Sequence, residues 1–174
     1  MLVCPTGAIT EKQKPIGFVD LGTADGVKFA QGRLNVGDVR TPSLIRNVKE
    51  MAIPQGIVII DAPPGTSCPV IEAVKGADLC LLVTEPTPFG LNDLKLAVEM
   101  LRKLKLPFAV VINRNDSGDD RVHKYCQREG IDVAMELPDD RRVAEAYSSG
   151  QIMIDVLAEY KAHFGILART MKVV

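Results

Sequence analysis

Apolar residues in this chain fall into short continuous runs, and from residue 56 onward these runs alternate with segments in which apolar residues recur every three or four positions. Gly56 to Asp61, Asp78 to Thr84, Phe108 to Asn113 and Asp132 to Leu137 are the runs. Each is too short for a helix and apolar on both faces, the pattern of a buried parallel strand. Ser67 to Val74, with Pro69 near its start and Gly76 just past its end, predicts a helix. Leu91, Leu94, Ala97, Val98, Leu101 and Leu104 form the stripe of a longer helix, ended by Pro107. A polar loop, Arg114 to Asp120, leads into a helix closing at Gly130. A further helix follows Pro138 to about Ser149, Gly150 breaks it, and Ile152 to Met171 reads as a mostly helical, amphipathic end.

Upstream of residue 56 the pattern differs. Two alternating stretches, Ile16 to Leu21 and Val27 to Ala30, flank an Asp25-Gly26 turn signal and predict a small hairpin. Thr41 as a cap, Pro42 in the first turn, and Leu44, Ile45, Val48 and Met51-Ala52 at helical spacing predict a helix ending near Pro54. Strands alternating with helices imply right-handed crossovers. The expected fold is α/β, a mainly parallel sheet with helices on both faces, preceded by the hairpin.

Composition narrows the function classes. The 174 residues are 47% hydrophobic and 25% charged, enough for a packed core, and a net charge of -1 gives no bulk attraction to nucleic acid or an anionic membrane. Lys95, Arg102, Lys103 and Lys105 read as a solvated helix face. No apolar run approaches the roughly 20 residues that span a bilayer, and MLVCPTGAIT lacks a basic leader, so the expectation is a cytoplasmic protein without a transmembrane segment. Cys4, Cys68, Cys80 and Cys126 are scattered, as in a reducing compartment, and Cys80 and Cys126 read as packing residues.

Ligands of open parallel sheets bind beyond the carboxyl ends of the strands, here Asp61, Thr84-Glu85, Asn113 and Pro138-Asp139. Asp61 precedes Ala62-Pro63-Pro64-Gly65-Thr66. A carboxylate there can hold the water shell of a phosphate-bound magnesium ion, and Gly65 lets backbone approach a terminal phosphate. An aspartate ending a strand can equally cap a turn.

IIDAPPGT, then LLVTEPTPFGLNDLKLAVEML (Leu81 to Leu101), VVINR (Val110 to Arg114) and LPDDRRVAEAYSSG (Leu137 to Gly150) resemble, in order, successive blocks of the MinD/ParA-like P-loop ATPases. VTEPTPFGLNDL resembles the subgroup that carries an inserted ferredoxin domain. The resemblance implies a magnesium-dependent ATPase with ATP and Mg2+ as ligands. Asp61 would be the magnesium-associated catalytic aspartate, and Pro64, Gly65 and Thr66 part of a switch sensing the terminal phosphate. Asn113 would contact the base, since a side-chain amide offers donor and acceptor to an adenine edge, although a turn-forming asparagine also fits. Pro138 and Asp139 would flank the same base.

Cys4-Pro5 resembles the last cysteine and proline of a ferredoxin motif, C-x2-C-x2-C-x3-C-P. One thiolate cannot hold a 4Fe-4S cluster, so Cys4 reads as a remnant ligand of a cluster belonging to the full-length protein. Cys68 falls seven residues after Asp61, where the related nitrogenase iron proteins carry a bridging cysteine; it also fits as a small packing residue. The resemblance divides the chain at residues 1–37, the end of the ferredoxin insertion plus hairpin, and 38–174, the carboxyl-terminal part of the nucleotide domain.

No Gly-Lys-Ser or Gly-Lys-Thr occurs, so the phosphate loop of that family is not in this sequence. In the family its strand lies between those ending at Asp61 and Thr84. The expectation is a chain inactive as an ATPase alone, working as a homodimer or with a separately encoded amino-terminal half. The alternatives are a non-catalytic subunit that completes its sheet with a partner chain, and an iron-sulfur scaffold using Cys68.

Overall fold

Asp25 and Gly26 both adopt positive φ, 49° and 80°, the conformation of a two-residue turn whose twist matches its flanking strands. They join β1 (Gly17–Ala24) to β2 (Val27–Leu34), antiparallel, with Ala24 opposite Val27 and Gly17 opposite Leu34. This computed structural model of the chain describes residues 6, 8, 12–52 and 56–171, so Cys4 and the reading placed on it lie outside the described residues. The chain divides into two units, Met1–Pro63 with Ser67–Ala73, and Pro64–Thr66 with Val74–Val174.

In the first unit α1 (Thr41–Glu50) packs on the hairpin, and Gly32 marks the closest approach: a Cβ there would lie 2.9 Å from Val48 Cγ2. The predicted cap is displaced by one residue. Arg40, not Thr41, precedes the helix and makes no side-chain cap bond. Its guanidinium instead grips Asp38, whose carboxyl is thereby held far below the usual carboxylate range. α2 (Cys68–Val74) is tied to α1 by Arg46 Nε on Glu72 Oε1 at 3.0 Å and by Lys49 Nζ, which donates to the carbonyls of Glu72 and Ala73 at 2.9 Å each. A lysine on the last carbonyls satisfies a helix end that glycine alone would leave open.

Gly56 to Asp61 is not a strand. Among the described residues it joins no sheet, and Ile57, Val58, Ile59 and Ile60 are 55%, 51%, 90% and 39% exposed. β-branched composition states only what a segment can do; without a neighbour to take its N–H and C=O groups, no strand forms.

The second unit holds a parallel sheet in the order β3 (Cys80–Thr84), β4 (Phe108–Asn113), β5 (Val133–Leu137). The registers place Thr84 beside Ile112 and Asn113 beside Leu137, with an irregularity at Val110/Val111. β4 is buried on both faces. Val110 and Ile112 enter a core with Leu94 and Val98 of α3 (Pro88–Leu104) and Val122, Tyr125 and Cys126 of α4 (Arg121–Glu129), while Ala109 and Val111 are buried on the other side. α5 (Arg141–Ser148) follows β5. The predicted terminal helix is interrupted at Leu157, giving α6 (Met153–Val156) and α7 (Ala158–Thr170), and α7 packs on β5. No helix among the described residues is long and apolar enough to cross a membrane.

Asp140 binds α5 to α7. It accepts from Arg142 N at 2.9 Å and from Tyr160 Oη at 3.0 Å, and Arg142 Nη2 reaches both Asp140 Oδ2 at 2.6 Å and Glu159 Oε1 at 2.8 Å. The Arg142 guanidinium holds the Asp140 carboxyl down at about 2. A folded-state pKa below the unfolded one contributes stability above the ordinary value of 3.8, and that contribution is lost as pH falls through about 2. Asp140→Asn is therefore expected to lower the melting temperature at pH 7 and to leave it unchanged below pH 2. A deficit equal at both values would remove this ionisation from the stability of the fold.

Candidate functional site at the carboxyl edge of the sheet

Asn113 ends β4, half-buried, and its side-chain amide has no partner among the described residues. The loop that follows it is bonded on both sides. Towards β5, Asn115 N donates to Leu137 O at 2.9 Å, Asn115 Nδ2 to Glu136 Oε2 at 2.9 Å, and Asp139 N to Asp116 Oδ1 at 2.7 Å. Towards β3, Asp119 N donates to Pro86 O at 3.1 Å, and Gly118 passes so close that a Cβ would lie 1.9 Å from the same oxygen.

The loop after β3 is equally constrained. Thr84 is buried, and its Oγ1 donates to Gly90 O at 3.0 Å. Thr87 caps α3 by accepting from Gly90 N at 3.0 Å, Pro88 opens the helix, and a Cβ on Gly90 would meet Glu85 O at 2.3 Å. The unusual wording TEPTPFG thus has a local cause: cap, first-turn proline and a glycine where backbone meets backbone.

Arg114 lies between the strand ends. Its Nη1 is 3.6 Å from Glu85 Oε1 and its Nε 3.4 Å from Asp139 Oδ1. Its φ is +53°, a left-handed backbone that costs a residue with a Cβ about 1–2 kcal/mol. Glu136, at the same edge, has its carboxyl held below the usual range by the Asn115 amide, aided by His123 Nε2 at 3.1 Å.

The structure therefore brings together Glu85, Asn113, Pro138 and Asp139, all in the second unit, and adds Arg114, Asn115 and Asp116. Pro138 and Asp139 are exposed beside the Asn113 end of β4. Sequence reading missed Arg114, since arginine carries no signal for left-handed backbone. Asp61 is exposed in the first unit, without a partner among the described residues. Pro64, Gly65 and Thr66 are exposed, and Gly65 has φ +92° with nothing within 4 Å of a Cβ position, a backbone that a side chain would not adopt.

A 4Fe-4S cluster does not fit the described residues. Cys68 is exposed, but burial pushes the Cys80 and Cys126 thiols up, and among the described residues no group of three or more His, Cys, Asp or Glu can hold a metal.

The sequence matches no protein-family model. It is 32% identical over 145 residues to an uncharacterized protein of Methanocaldococcus jannaschii, covering 82% of this chain and 51% of the relative. It is 31% identical over 108 residues to the iron-sulfur cluster carrier protein of Pyrococcus horikoshii, covering 53% of this chain and 37% of the relative. With the iron-sulfur cluster carrier protein of Methanocaldococcus jannaschii the identity is 28% over 128 residues, 66% of this chain and 43% of the relative. The matched segment thus spans between about a third and a half of each of these relatives.

Proposed function

We propose that this chain is the carboxyl-terminal part of a MinD-like protein that binds ATP with magnesium and serves iron-sulfur work, and that it does not turn over ATP alone. The observation that carries the reading is the unpartnered Asn113 amide at the end of β4, on a rim bonded from both sides. Such an amide, held without competing internal bonds, can read the donor and acceptor of an adenine edge. Similarity to iron-sulfur cluster carrier proteins supports the iron-sulfur part.

In this reading Asp61 would hold the water shell of a magnesium ion, and Pro64, Gly65 and Thr66 would face the terminal phosphate, the left-handed Gly65 leaving room for backbone N–H groups to reach it. Asn113 reads the base, flanked by Pro138 and Asp139. Magnesium neutralises charge on the phosphates during transfer. Residues 1–37 are the end of a ferredoxin insertion plus the hairpin, and 38–174 belong to the nucleotide domain.

Millimolar ATP with magnesium, added to the isotopically labelled chain, is expected to shift the Asn113 side-chain amide resonance, and Asn113→Ala to weaken ATP at least tenfold. Turnover above background by the chain alone, or ATP that perturbs no resonance at the strand ends, would overturn the reading.

A second reading is favoured by β3. Among the described residues it is an edge strand, and Leu81 and Val83 are 41% and 68% exposed on it, with no charge or proline within Cys80–Thr84 to blunt the edge. A non-catalytic subunit would complete its sheet there with a strand of a partner chain, either a second copy or a separately encoded amino-terminal half. Adding a polypeptide that carries a Gly-Lys-Thr loop and its strand separates the two: ATP hydrolysis on mixing favours the nucleotide reading, and a stable complex without hydrolysis favours the second.

A further inference from the structure

We propose that Arg114 is a positioning residue that ties the ends of β3, β4 and β5 together and so presents the Asn113 amide in one orientation; this rests on the nucleotide reading above. Three non-glycine residues among those described have positive φ. Asp25 lies in the hairpin turn and Lys105 caps α3, both places that call for that backbone. Arg114 is in neither setting. Asparagine tolerates left-handed backbone far better, and Asn113 and Asn115 lie on either side of it, yet the left-handed position carries an arginine. An arginine in left-handed backbone is strained, and such strain gathers at ligand sites.

That side chain bridges Glu85, just past β3, and Asp139, just past β5, from a backbone just past β4. Both pairs are long and about half exposed, so neither adds much to stability; their effect is geometric. The guanidinium lies within ion-pair distance of carboxylates on both neighbouring strand ends, 3.6 Å from Glu85 and 3.4 Å from Asp139, so its charge sits between them. Ser117 N and Oγ donate to Arg114 O at 3.0 and 2.8 Å, closing the turn beneath it. Asn113 is thus paired with Leu137 of β5 on one side and followed by a residue whose charge faces the ends of both β3 and β5.

The test uses the full chain with Arg114→Gly and Arg114→Lys. Glycine accepts φ +53°, so it removes the side chain and relieves the backbone together. Arg114→Gly is expected to keep or raise the melting temperature, to speed amide hydrogen exchange at residues 113–117 at least tenfold, and to reduce the preference for ATP over inosine triphosphate at least fivefold. Arg114→Lys should restore part of both effects, because it keeps the charge but not the fork. Unchanged exchange at 113–117, or a lowered melting temperature with an unchanged nucleotide preference, would overturn the proposal. If ATP perturbs no strand-end resonance even in the unmodified chain, the nucleotide reading fails, and the exchange rates alone decide whether Arg114 orders the edge.

Discussion

Replacing Ile112 by alanine is expected to destabilise the sheet-bearing unit by about 2–5 kcal/mol, whereas Ile59→Ala is expected to change stability by less than about 0.5 kcal/mol. Ile112 is fully buried on β4 between Leu94, Val98, Val122, Tyr125 and Cys126. Those neighbours belong to two helices and cannot all collapse into the space left by three carbons, so the loss combines transfer and cavity terms. Ile59 lies in a run that reads as more strand-like than β4 itself, yet it is 90% exposed. Urea denaturation followed at a probe in each unit measures both. A loss near that of Ile112 at position 59 would mean that Gly56 to Asp61 is buried in solution as a strand.

Gly118→Ala is expected to cost about 1–3 kcal/mol, the range for forcing atoms into a packed site. The added carbon would lie 1.9 Å from the Pro86 carbonyl oxygen, and Pro86 is itself fully buried. Neither backbone can yield without breaking the Asp119 N to Pro86 O bond. Asp119 in turn accepts from Arg121 N at 2.9 Å at the entry of α4, so the strain should reach the first turn of that helix. A lowered denaturation midpoint with an unchanged slope, together with faster exchange at residues 119–122, is the expected result. Stability within about 0.5 kcal/mol of the parent chain would show that the two loops are not in contact.

The elements read correctly from the sequence have local causes. The hairpin follows from Asp25-Gly26, α3 from Thr87, Pro88 and its apolar stripe, and the close of α4 from Gly130, whose φ is +62°. Gly56 to Asp61 fails for the opposite reason, because its expected structure depends on a neighbouring strand and not on its own residues. The adjacent carboxylates Asp139 and Asp140 show the same limit at the site. Nothing in their order says which caps α5 and which faces Arg114; backbone direction gives the cap to Asp140 and leaves Asp139 exposed at the sheet edge. The place of Asn113 at the end of β4 was legible because it ends an apolar run, whereas Arg114, one residue later, adopts a backbone conformation that its side chain disfavours.

The three strands of the sheet are also consecutive in the chain, each joined to the next through a single helix. Sequence separation between pairing partners is therefore small for a parallel sheet, and loop closure is correspondingly cheap in entropy. During synthesis β3 and β4 can pair as soon as α3 and β4 have left the ribosome, and β5 can add to a template already in place. The unit carrying Asn113 and Arg114 should thus reach its native pairing early, with the open side of β3 exposed from the first moment the sheet exists.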